Sequence, residues 1–375
     1  MLSRLVSTSD NNRFCHVVIS LCGLGKYGPA LLARGINVFP LDLPKGFPTP
    51  FAIKRTLTII RQFRPDIIQS WLYHADLLVL FVRWFSADAR QASWTCNIRC
   101  VLTSTSSGSR VTRFVLWLLG RTSDRPVAIL ANSLSGSAYH SNTFGYHPRR
   151  WLIVPNGFDL DAYRPCLSSK FDVRHTLGLS VHSRILIMVA RADRLKDHDT
   201  FLAALFIVRA RDPSIYGVLV GRGATLDNPL ISQSISRLNI RDGVLGLGER
   251  HDVPSLMAGA DLSVLTSISE GFPNVLGESM ACGTPCISTS VGAASAIIGD
   301  TGLIVPMKDP QALADSIIKL LYEPDSVRQQ RRNRARQRIC DHYSIAKSVS
   351  IYERIYIHLS GRRFHGGARV SACVV

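Results

Sequence analysis

Short apolar runs alternate with helical patterns along this chain, and the alternation is played through twice. In the first half, His16–Leu21, Asn37–Leu43, Asp66–Trp71, Ala92–Ile98, Val127–Ala131 and Trp151–Val154 read as strands. Helical spacing separates them, as at Phe51–Phe63, Tyr73–Phe85 and Val111–Leu119. Near Tyr163–Leu179 a proline, serines and Gly178 break the rhythm. It restarts with Arg184–Ala190, Tyr216–Val220, Asp261–Thr266, Pro285–Thr289 and Gly302–Val305. Near-continuous apolar strands joined by helices require a parallel sheet covered on both faces. The expected fold is therefore α/β, with two doubly wound, Rossmann-like domains facing a cleft. Ligands of such sheets bind beyond the carboxyl ends of the strands.

Four loops of the second half follow expected strands. Arg191–Asp197 offers Arg191 and Lys196 where a phosphate oxygen can be held. Gly221-Arg222-Gly223 is a tight turn whose amides can face an anion. In Glu270–Glu278, Gly271 permits a turn, while Pro273 and Asn274 suit a helix start. The amides of Val275 and Leu276 fall in the first turn, where a diphosphate can be bound. Glu278 lies one turn further, placed to accept from ribose hydroxyls. By spacing alone, two glutamates eight apart also describe a charged helix face. The fourth loop is Gly292-Ala293-Ala294. In the first half His74 opens a helix after a strand, either facing the cleft or satisfying the helix start. Arg99 and Ser133 occupy similar rims.

Charge narrows the partners. The chain of 375 residues carries net charge +17. Residues 1–160 hold 18 basic and 7 acidic residues, 161–322 hold 15 and 16, and 323–375 hold 11 and 4. The excess points to an anionic partner, a phosphate compound or an anionic membrane face. No nucleic-acid recognition module is readable, so no nucleic acid is expected. The nine cysteines show no CxxC pair and no metal-ligand spacing, which fits a reducing, cytoplasmic setting. No apolar stretch is long enough to span a bilayer, and Met1–Asp10 lacks a signal-peptide core.

Together these segments resemble the retaining glycosyltransferases of family 4, which have the GT-B fold. The strongest element is EGFPNVLGE at 270–278, which looks like that family's Glu-x7-Glu motif. VPNGFDLDAYRP at 154–165, VARADRLKDHDTFLAA at 189–204, LVGRG at 219–223 and ACGTPCISTSVG at 281–292 support it. PDIIQSWLYHADLL at 65–78 and WTCNIR at 94–99 resemble the subset that builds bacterial capsules and exopolysaccharides. The resemblance implies transfer of a sugar from a nucleotide-sugar co-substrate to a lipid-linked or saccharide acceptor, with no bound metal. Arg191 and Lys196 would hold the donor diphosphate, with Gly221, Arg222, Asn274, Val275 and Leu276 around the nucleotide. Glu278 would bind the ribose. Glu270 and His74 would contact the transferred sugar.

The resemblance also implies a division into residues 1–165 for the acceptor and 166–345 for the nucleotide sugar. In 346–375 a last helix would pack back on the first domain, ahead of a basic tail. The tail charge would then join the first domain in one basic face, peripheral on the cytoplasmic side of a membrane. Against the family pattern, the opening strand and Gly-rich loop are missing. Their absence predicts an open slot in the first sheet and, as an alternative, a truncated, inactive protein. Glycolipid or disaccharide synthesis on the same fold is the other alternative.

Overall fold

The computed structural model describes residues 1–43, 48–101, 110–166, 169–361 and 369–375. Two compact units result: Met1–Gly157 with Ile345–Val375, and Phe158–Ser344. Unit 1 opens with α1 (Leu2–Thr8). It continues through β1 (Phe14–Ser20), α2 (Gly28–Leu32), β2 (Asn37–Pro40), α3 (Pro50–Phe63), β3 (Ile67–Trp71), α4 (Tyr73–Phe85) and α5 (Ala87–Gln91). Then come β4 (Ser93–Ile98), α6 (Arg110–Arg121), β5 (Ala128–Ala131), α7 (Leu134–Phe144) and β6 (Trp151–Ile153).

Unit 2 holds α8 (Ser169–Thr176), β7 (Arg184–Val189), α9 (His198–Arg209), β8 (Ile215–Val220), α10 (Pro229–Leu238), β9 (Val244–Gly248) and α11 (Val253–Gly259). It goes on with β10 (Leu262–Leu265), α12 (Asn274–Ala281), β11 (Cys286–Thr289), α13 (Ala294–Ile298), β12 (Leu303–Val305), α14 (Pro310–Leu321) and α15 (Asp325–His342). The chain ends in unit 1 with α16 (Ile345–Ser360) and β13 (Val370–Val374).

Several helices start where the local chemistry supplies an acceptor for orphan amides. Thr49 caps α3, Asp197 caps α9, Asn228 caps α10 and Asp309 caps α14, the first and last two followed directly by proline. Both sheets are wholly parallel. Unit 2 has strand order β12-β11-β10-β7-β8-β9, so the winding reverses between β7 and β10. Its core packs Leu186, Met188, Phe201, Leu205, Val264 and Ile317 together.

Unit 1 corrects one expectation. Its order is β2-β1-β13-β3-β4-β5-β6, so the expected slot is occupied by β13 from the far end of the sequence. The register runs from Phe14↔Val370 to Val18↔Val374 on one side, and from Ala372↔Ile67 to Val374↔Gln69 on the other. The physical reason is the cost of two buried, unpaired strand edges, which this short apolar segment removes.

Of the basic segment 323–375, only Ile345–Val375 belongs to unit 1. Helix α15 lies in unit 2, and its arginines hydrogen-bond the carbonyls at the ends of neighbouring helices. Arg332 donates to Ala258 and Ala260 at 3.3 Å each, at the end of α11. Arg336 donates to Ala281, the last residue of α12, and to Tyr163 at 3.0 Å. Arg338 donates to Ala296 and Ile297 in α13 at 2.7 and 2.8 Å. Apart from that of Tyr163, these carbonyls lie at the negative ends of helix dipoles, so cations fit there. Unit 1 nevertheless carries 23 basic and 7 acidic residues, against 21 and 20 in unit 2.

Candidate active site

In unit 2 the winding reversal separates the strand ends of β7 and β10, and the loops leaving them are stitched together. Beyond β7, Asp193 accepts from the Leu195 amide at 2.9 Å and starts a single 3-10 turn, Arg194–Lys196. Asp197 follows in the left-handed region, with φ 50°. Beyond β10, the Thr266 hydroxyl lies 2.9 and 2.8 Å from the carbonyls of Lys196 and Asp197. The Ile268 amide donates to the Leu195 carbonyl at 2.9 Å. This backbone lacing delivers Lys196 to Glu270, and Nζ forms an ion pair with Oε1. Both side chains are largely withdrawn from water, at 18% and 16% exposure. The Ser267 hydroxyl donates to the same oxygen at 2.8 Å.

Arg191 stands on the same loop, half exposed, and its Nε donates to Asp193 at 3.0 Å. The Leu195 amide holds the Asp193 carboxyl below its ordinary range, and Arg191 and Lys196 add to that. Gly292 lies against this loop with φ 53°, and a Cβ there would meet the Glu270 carbonyl oxygen at 2.4 Å. Only glycine tolerates both conditions.

Helix α12 opens at Asn274, with Val275 half-buried and Leu276 buried. The Leu276 amide donates to the Pro273 carbonyl at 3.2 Å, so the turn itself engages one of the two amides expected to face a diphosphate. Glu278 is half-buried further along the helix. Between them, Gly277 gives room to Phe158, since a Cβ there would stand 2.2 Å from the phenyl ring. That contact ties PNGFD to EGFPNVLGE. It also puts the unit boundary at Gly157/Phe158, where 165 was expected.

The glycine turn after β8 also differs from expectation. Gly221, with φ 138°, fits close to the Ala190 carbonyl, and its amide donates to Gly248 at 2.7 Å. That amide holds β9 and is not offered to an anion. Arg222 is exposed, and its carbonyl accepts from Ala192 at 2.9 Å, joining this turn to the Arg191 loop.

In unit 1, β3 ends at Trp71 and Leu72 turns the chain with φ 70°. His74 then sits in the first turn of α4, its ring tilted against Tyr73 at 4.4 Å between ring centroids. It does not cap the helix; Leu72 occupies the N-cap position. Partial burial lowers its pKa and so favours the neutral ring. Ser133 is structural, capping α7 by accepting from Gly136 at 3.0 Å. Arg99 lies over Trp71 at 5.1 Å and donates to Tyr352 at 2.7 Å and to Asn97 at 3.2 Å. Thr266, Ser267 and Asp193 were missed by sequence reasoning. Their only signal was polarity just beyond an apolar strand.

Two family models match the chain: Glycosyltransferase Family 4 over residues 9–162, and Glycosyl transferases group 1 over 183–323. The crystal structure of Anabaena HepE in complex with UDP and glucose superposes with a TM-score of 0.76 at 19% identity, covering 93% of this chain and all of that one. The chain has the GT-B fold and is similar to the group 1 and family 4 glycosyltransferases over those two stretches. Sucrose-phosphate synthase from Thermosynechococcus elongatus has the same fold, with a TM-score of 0.72 at 19% identity over 93% of this chain and all of that one.

By sequence, this GT-B chain is 37% identical over 182 residues to N-acetyl-alpha-D-glucosaminyl L-malate synthase of Bacillus anthracis, covering 48% of this chain and 46% of the relative. It is 26% identical over 216 residues to the Escherichia coli UDP-Gal:alpha-D-GlcNAc-diphosphoundecaprenol alpha-1,3-galactosyltransferase, covering 56% and 55%. The chain thus spans about half the length of the curated relatives it matches. Among the described residues, no group of three or more His, Cys, Asp or Glu side chains is placed to hold a metal ion. No helix among them is long and apolar enough to cross a membrane.

Proposed function

We propose that this chain is a retaining glycosyltransferase, moving a sugar from a nucleotide-sugar donor to a lipid-linked saccharide in bacterial surface polysaccharide synthesis. The observation that carries the reading is the Lys196–Glu270 pair, held by laced loops at the winding reversal of unit 2. That place is where doubly wound sheets bind nucleotides. A diphosphate leaving group needs cations, which Lys196 and Arg191 supply from one loop. The Val275 amide and Asn274 lie at the start of α12, where a helix dipole favours anions. Glu278 binds the ribose, and Arg222 approaches the nucleotide.

In the proposed reaction the bond from the anomeric carbon to the leaving phosphate breaks as the acceptor oxygen bonds to the same face. The acceptor proton passes to a leaving phosphate oxygen. Glu270 holds the transferred sugar, and His74 contributes to the same reaction from unit 1. No protein nucleophile takes part. Lys196 and Arg191 offset charge that develops as the diphosphate departs, which is an electrostatic contribution to rate.

The lipid-linked acceptor is supported by the Escherichia coli relative, whose name states a diphosphoundecaprenol substrate. It is also supported by unit 1, which carries almost all the excess positive charge together with exposed Trp84, Phe85, Phe114 and Trp117. Such a unit suits an anionic membrane face on the cytoplasmic side. The alternative of an inactive remnant rested on a missing strand and a missing Gly-rich loop, and β13 occupies the strand's place in the sheet. Glu270→Ala is expected to reduce transfer at least 100-fold with unchanged circular dichroism. Normal transfer by that variant would remove Glu270 from the reaction.

A further inference from the structure

The strands β1 and β3 of unit 1 do not pair with each other; each pairs with β13. Among the described residues, the hydrogen-bonded ladder of unit 1 is therefore two half-sheets, β2-β1 and β3-β4-β5-β6, bridged by residues 370–374. The joining strand fits on both faces. Val370 and Ala372 pack with Phe14, Tyr352 and Tyr356, while Cys373 and Val375 pack with Val17, Ile68 and Leu77 on the opposite face. Polar groups hold its ends. The Val370 amide donates to Arg13 at 2.8 Å, and the Asp66 carboxylate accepts from the Ser371 amide at 2.9 Å, across 305 residues of sequence.

The far end of this strand meets the turn that presents His74. The Val375 amide donates to Gln69, and the Trp71 amide donates back to Val375, each at 2.9 Å. One residue later comes Leu72 with its positive φ, and then Tyr73 and His74. A left-handed non-glycine residue persists only where its surroundings fix it. Here the fixing contacts are β13 on one side, through Trp71, and β4 on the other, where Leu72 donates to Asn97 at 3.0 Å.

We propose that residues 370–374 are a separable docking strand whose seating between β1 and β3 positions the Leu72–His74 turn for catalysis. The proposal rests on the role given above to His74. With the strand seated, the His74 rim is ordered; with it released, transfer is lost while unit 2 keeps its nucleotide site. Among the described residues its ladder bonds run only to β1 and β3, so its release breaks two strand pairings and no others.

The test uses the full chain and a Val374→Asp variant, which places a carboxylate in an apolar site and expels the strand. Thiol labelling resolved by mass spectrometry reads Cys373 on β13 and Cys96 on β4, both buried. Cys373 is expected to label at least 10-fold faster in the variant while Cys96 stays protected. UDP affinity, measured by calorimetry, stays within twofold. The kcat for transfer falls at least 100-fold, and a synthetic peptide of residues 366–375 restores at least half of it. Joint labelling of Cys373 and Cys96 would show that unit 1 opens only as a whole, and would overturn the proposal. So would an unchanged kcat with Cys373 exposed, or no rescue by the peptide. Failure of the unaltered chain to bind UDP or transfer sugar would instead sink the proposed function, and the labelling result would still decide whether the strand is separable.

Discussion

Breaking the Lys196–Glu270 pair should destabilise unit 2 by an amount that can be measured separately from unit 1. The two side chains are 18% and 16% exposed, so neither is fully solvated. Removing one partner of a fully buried pair costs about 3–5 kcal/mol. Two features reduce that figure here: residual exposure lets water in, and Ser267 still donates to Glu270 at 2.8 Å. About 2 kcal/mol is expected for Lys196→Met, and about 1 kcal/mol for Glu270→Gln, where an amide oxygen still accepts from lysine. In the double variant neither charge is stranded, so its cost should fall below the sum of the two by about 1 kcal/mol. All five tryptophans lie in unit 1, at 71, 84, 94, 117 and 151. In a urea titration, tryptophan fluorescence therefore follows unit 1 and far-ultraviolet circular dichroism follows both units. The transition seen by dichroism alone should move, and the fluorescence transition should not. A coupling below about 0.3 kcal/mol, the usual scatter for independent sites, would refute a functional pairing of these two residues.

Other consequences can be checked in the same titrations. Gly277→Ala puts a methyl 2.2 Å from the Phe158 ring and should cost about 1–3 kcal/mol in unit 2, with Phe158→Leu in the same chain recovering part of it. Arg336→Met removes a cation from three carbonyls and should cost about 2 kcal/mol. Arg334→Ala, at an exposed pair with Asp300, should cost under about 1 kcal/mol. Burial lowers the pKa of His198 to about 4, and its Nε2 has no hydrogen-bond partner among the described residues. The folded state therefore binds fewer protons than the unfolded chain between about pH 4 and the ordinary histidine value near 6.5. Its contribution is fully present above that window and is lost as pH falls through it. His198→Gln should flatten the acid side of the dichroism transition, and an unchanged acid slope would contradict this.

Much of unit 2 was legible because its strands are buried runs and its motifs follow strand ends. Arg184–Val189 and Leu262–Leu265 declared themselves by composition, and the loops after them carry Lys196 and Glu270. What stayed hidden is physical in origin. The strand Val244–Gly248 contains two glycines and sits at the sheet edge, so neither propensity nor burial marks it. Val370–Val374 follows a Gly-Gly pair and is too short to distinguish from a tail. Its identity depends on a pairing with residues over 300 positions away, which local pattern does not encode. The arginines of α15 look like a solvated basic face in one dimension. Their role appears only when α11, α12 and α13 end beside them. Backbone amides were the weakest inference, since those of Gly221 and Leu276 are spent on the fold.

The central claim is that Lys196 and Arg191 hold a donor diphosphate at the winding reversal of unit 2. It is tested most directly by phosphorus NMR of UDP titrated with the full chain and with Lys196→Met. The expected result is a shifted, broadened β-phosphate resonance with the unaltered chain, and a dissociation constant at least tenfold weaker with the variant. Equal binding by both chains, or no perturbation of the β-phosphate by the unaltered chain, would contradict the account.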